Sequence, residues 1–115
     1  MPIDPTAPLN PRHYLILLLL AEEATWGVRL MERMEDRSDG AMRFNAGSLY
    51  RTLAQLVDQG WVTPLREEAP ADGVGAPRKI YGATKDGLAA LRREAVRQAE
   101  LLESVRALGL EGRGG

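Results

Sequence analysis

Between residues 45 and 84 the chain carries polar and basic side chains at spacings suited to gripping a nucleic acid. Asn45, Ser48, Arg51 and Gln55 recur every three or four residues, which on a helix lines them along one ridge. Gly47 keeps the start of that ridge small, so a groove wall can come close and free backbone N–H groups can meet a phosphate. Ser48, Arg51 and Gln55 then offer a hydroxyl, a guanidinium and a carboxamide to base edges or phosphates. Tyr50 lies on the flank, where its hydroxyl can reach a phosphate or its ring can close the core edge. Farther on, the Arg78-Lys79 pair can add sequence-independent, salt-sensitive affinity.

The elements that must hold these groups can be read from periodicity. Leu49, Leu53, Leu56 and Val57 form the buried stripe of a helix expected over 46–59, capped by Asn45 and ended at Gly60. An amphipathic helix with a plain solvated face would show the same stripe, so what surrounds it matters. Asn10 and Pro11 cap and open an earlier helix, running to Glu23 through the nearly continuous apolar run 15–21. Thr25 is placed to cap a second helix over 26–37, with Val28, Leu30, Met31 and Met34 on its apolar face. After Gly60 the period changes, and segments 61–68 and 78–83 read as strands of a hairpin around a Gly/Pro-rich loop at 69–77. Three helices followed by a basic-edged hairpin make a winged helix-turn-helix, and duplex DNA becomes the first partner to consider.

Thr84 caps a final helix over 85–108, roughly 36 Å long. Leu88, Leu91, Ala95, Gln98, Leu102 and Val105 fall at heptad positions, with Leu101 and Leu108 as a second ridge. That is more apolar surface than a small domain can cover, which predicts a homodimer through Leu88, Leu91, Ala95, Leu102 and Val105. The expected fold class is mostly α with a small β-hairpin. Its parts are a flexible N-terminal arm (1–9), the winged unit (10–84), the dimerisation helix (85–108) and a flexible tail (109–115).

Composition narrows the alternatives. With 115 residues there is room for one small domain and an appendage. The absence of cysteine and the single His13 argue against a metal site, and no nucleophile–base pair or phosphate loop suggests an enzyme or a cofactor. His13 reads as a packing or surface residue, Trp61 as core, and Trp26 as core or the lining of a cavity near the long helix. The apolar run 15–21 is too short for a membrane span, which needs roughly 20 residues. A cytoplasmic protein with no membrane contact is the expectation. The formal charge is −1, but it is segregated: residues 22–39 hold six acids and three bases, whereas 78–93 hold five bases and one acid.

These segments together resemble the PadR family of winged-helix transcriptional regulators. The resemblance spans about residues 14–91, through Gly27-Val28-Arg29-Leu30, Gly47-Ser48-Leu49-Tyr50-Arg51-Thr52-Leu53, Gly60-Trp61-Val62, Pro77-Arg78-Lys79-Ile80-Tyr81 and Thr84-Lys85-Asp86-Gly87-Leu88. It implies operator contacts by Ser48, Tyr50 and Arg51 from the recognition helix and by Arg78 and Lys79 from the wing. It also implies dimers built through the last helix, and release by small aromatic or drug-like effectors. Ala83, where a larger aliphatic residue is common, and Arg51, where proline is frequent, depart from the family pattern. The expected function is a sequence-specific transcriptional repressor acting as a homodimer on a palindromic operator. The alternative is a winged-helix protein-interaction module that does not bind DNA, favoured by the acidic balance of 22–39.

Overall fold

A computed structural model describes residues 3–110. Residues 1–2 of the arm and 111–115 of the tail lie outside the described residues. The order is α1 (Pro11–Glu22), α2 (Gly27–Arg37), α3 (Ala46–Asp58), β1 (Val62–Glu68), β2 (Arg78–Ala83) and α4 (Lys85–Ala107). This is the mostly α, winged helix-turn-helix architecture expected, with a long C-terminal helix.

The side chain of Asn10 accepts a hydrogen bond from the Arg12 N–H at 2.8 Å, with Pro11 at the first helical position of α1. The apolar run places Ile16, Leu17, Leu19 and Leu20 in the core, and α1 packs against α2, β2 and α4. Each such buried side chain contributes roughly 1.5–3 kcal/mol. Leu30 and Met34 from α2, Leu49, Leu53 and Leu56 from α3, and Trp61 and Val62 complete the same cluster.

Two sequence expectations about α2 need correction. Thr25 does not cap it: Trp26 occupies the N-cap and makes no side-chain capping bond. Thr25 instead pairs with Tyr81 as a one-residue third strand, through N–H to carbonyl bonds of 3.1 and 2.9 Å in the two directions. A single bridge has no periodicity, so nothing in the pattern separates it from a cap. Val28, assigned to the apolar face, is 52% exposed, because it lines the open cleft beside the wing while Leu30 and Met34 of the same helix fill the core.

Strands β1 and β2 are antiparallel, with Val62 opposite Ala83 and Glu68 opposite Arg78. The register slips between Pro64 and Arg66, a bulge where proline lacks an N–H. Thr84 joins hairpin to helix: its hydroxyl donates to the Gly60 carbonyl at 2.5 Å and accepts the Gly87 N–H at 3.0 Å. Helix α4 starts directly on the Trp61 carbonyl, and any Cβ on Gly87 would overlap that backbone.

At the other end of the chain, Ile3 and Leu9 pack against the core, and the Leu9 N–H donates to buried Glu94 at 2.9 Å.

Candidate nucleic-acid interface

The Asn45 side chain closes the start of α3 by accepting the Ser48 N–H at 2.8 Å. With that cap in place, Leu49, Leu53 and Leu56 turn inward and Asn45, Gly47, Arg51 and Gln55 turn outward. Ser48 is half-buried. Arg51 takes part in no ion pair among the described residues, so its guanidinium is available to a ligand. A Cβ on Gly47 would meet nothing closer than Asn45 Oδ1 at 3.6 Å. The fold therefore does not require glycine there, and what a glycine leaves open is the approach from outside.

Tyr50, the residue with two open readings, belongs to neither the core nor open solvent alone. It is 45% exposed, and its ring lies so close over Gly27 that a Cβ there would overlap it. Helices α2 and α3 meet at this contact. Beyond it opens a cleft of about 490 Å³ lined by Trp26, Val28, Tyr50, Pro77, Arg78, Lys79 and Tyr81. Three separate parts of the sequence converge there: the start of α2, the flank of α3 and the first strand residues after the wing loop.

Trp26 does line a cavity, but this one, between the wing and the helix-turn-helix and not beside α4. Its ring carries the Arg78 guanidinium, with Cζ 4.6 Å from the ring centroid. Burial, with Tyr50 nearby, raises the Tyr81 hydroxyl above its ordinary pKa, so it stays a neutral phenol at physiological pH. Trp26, Val28, Pro77 and Tyr81 are thus site neighbours that the sequence reading did not assign. The available signals were the aromatic beside Gly27 and the Pro77-Arg78-Lys79-Ile80-Tyr81 segment.

A family model for PadR-like transcriptional regulators matches residues 16–93. The chain belongs to the PadR-like family of transcriptional regulators. Among solved structures, the PadR-like chain is similar to a PadR-like regulator from Bacillus cereus, at 22% identity and a TM-score of 0.71, covering 89% of this chain and 93% of that one. A PadR family regulator from Eggerthella lenta aligns at 25% identity and a TM-score of 0.63, covering 88% and 86%. A PadR-like transcription factor from Bacteroides fragilis aligns at 24% and 0.68, covering 84% and 88%. Comparison with curated proteins gives no match.

The wing of this PadR-like regulator is less basic than Arg78-Lys79 alone suggests. Register places Glu67 opposite Lys79 and Glu68 opposite Arg78, and Glu68 also pairs with Arg66 at 2.7 Å. Cross-strand acids temper the local field.

In α4, Gly87, Ala90 and Glu94 face the core, and Leu91 is half-buried against it. Leu88 (46%), Leu102 (43%) and Val105 (39%) remain exposed, as does Ala95. Every residue from 101 to 110 is exposed, so the second half of α4 projects from the domain. Among the described residues no group of His, Asp or Glu could hold a metal ion, and no helix is long and apolar enough to cross a membrane.

Proposed function

We propose that this PadR-like regulator is a sequence-specific repressor that binds duplex DNA as a homodimer on a palindromic operator. The observation that carries the reading is the junction of α3 and the wing: Tyr50 from one and Arg78 and Lys79 from the other border a single cleft. Beside it the capped start of α3 presents Gly47, Ser48, Arg51 and Gln55. One helix thus offers hydrogen-bonding side chains for base edges while the wing grips backbone. The projecting half of α4, with Leu101, Leu102, Val105 and Leu108 uncovered, supports pairing of two copies. Two recognition helices would then meet major grooves about one turn, 34–36 Å, apart. Release from the operator by a small aromatic effector rests on the resemblance to the family.

The test is fluorescence anisotropy with duplex from the region upstream of the protein's own gene. Specific binding should appear at low salt, and Arg51→Ala should weaken it by about 1–3 kcal/mol while leaving scrambled duplex little changed. Absence of any duplex binding at low salt would overturn the proposal.

A further inference from the structure

The Trp26–Arg78 stack has a geometry that bears on how the wing holds its ligand. Arg78 sits on an exposed strand end, where a free guanidinium samples many rotamers. Here its Cζ lies over the indole ring, 4.6 Å from the centroid. A guanidinium attracted to a ring through its charge keeps N–H donors for a further, forked contact. Arg78 enters no ion pair among the described residues, although Glu68 stands across the ladder. The Thr25–Tyr81 bridge fixes the distance between the indole and the wing strand, since Trp26 follows Thr25 directly.

We infer that Trp26 is a positioning residue for DNA binding: stacked beneath Arg78, it holds that guanidinium at the mouth of the cleft, where with Lys79 and the Tyr50 hydroxyl it receives a backbone phosphate. The inference rests on the DNA-binding reading and adds to it a residue and a subsite. The chemistry of the lining selects an anion: two cations and two phenols, with no carboxylate among the cleft residues. It selects backbone over base because a guanidinium held over the indole has less reach into a groove than Arg51, which has no ion pair among the described residues. The uncapped start of α2 lies at the same rim and adds a partial positive charge.

The experiment compares wild type, Trp26→Leu, Trp26→Phe, Arg78→Ala, Arg78→Lys and the Trp26→Leu/Arg78→Ala double variant on operator and scrambled duplex across a salt series. Thermal melts establish that each variant is folded. Trp26→Leu should weaken both duplexes alike by about tenfold and lower the salt slope by about one per subunit. Trp26→Phe should recover most of the loss, and Trp26→Leu should cost nothing further once Arg78 is alanine. Arg78→Lys keeps the charge without the planar face and, being on the surface, does not endanger folding; it should bind about as weakly as Trp26→Leu. Wild-type affinity in Arg78→Lys or in folded Trp26→Leu would overturn the inference while leaving DNA binding intact. Additive losses in the double variant would do the same. A loss confined to the operator would make Arg78 a base reader and overturn the phosphate assignment. Failure of wild type to bind any duplex would instead remove the DNA reading itself.

Discussion

Gly87 and His13 show how much single positions carry in so small a core. The Gly87 Cα lies against the Trp61 carbonyl, and neither partner is a side chain that can swing away. Gly87→Ala should therefore destabilise by at least about 1–3 kcal/mol, read as a fall of several degrees in Tm. His13 is half-buried in the first turn of α1, and burial lowers its pKa from 6.5. The unfolded chain thus takes up a proton more readily than the folded one. His13 favours folding relative to its protonated state above the unfolded pKa, and stability should decline as pH falls through that value. A Tm series from about pH 7 to pH 5 should show this decline in wild type and a flatter profile in His13→Gln. At the opposite extreme Arg51 holds no structural bond among the described residues, so its removal should cost binding and not Tm.

Helix α4 divides into a packed start and an exposed end. Its first half is fixed to the domain by Gly87, Ala90 and Glu94, while from residue 101 onward every side chain is exposed among the described residues. Leu102 and Val105 lie on the uncovered stretch at heptad spacing. Replacing both with glutamate should leave the domain folded and convert a dimer to a monomer. Light scattering coupled to size exclusion reads the mass, and a wild-type monomer at micromolar concentration would count against the dimer. The hairpin is the second element whose role depends on placement: Tyr81 joins the Thr25 bridge and keeps the wing base beside α2.

Across the whole molecule, shape reflects the projecting helix. The radius of gyration is 15.9 Å and the extents are 54 × 31 × 22 Å. A compact chain of this length would have a radius of about 13 Å. The excess lies in the projecting helix, and pairing two copies through it would bring two reading heads to one duplex. If Arg78 and Lys79 of each subunit meet phosphates, log affinity should fall with log salt at a slope of about −4. A slope near zero on a binding duplex would show that these cations are not engaged.

Local pattern determined most of the secondary structure. Apolar spacing marked the three short helices and the long one, capping residues marked the starts of α1, α3 and α4, and the Gly/Pro-rich loop marked the wing. The inward and outward faces of α3 followed from the same spacing, because a helix of 3.6 residues per turn fixes which side chains share a side. What spacing does not carry is the meeting of distant segments. That Thr25 is a strand bridge and not a cap depends on where β2 returns beside α2, and that Tyr50 seals Gly27 depends on how α3 packs on α2. The cleft exists only through that return: Trp26 and Arg78 are 52 positions apart, and tertiary packing alone brings indole and guanidinium to 4.6 Å.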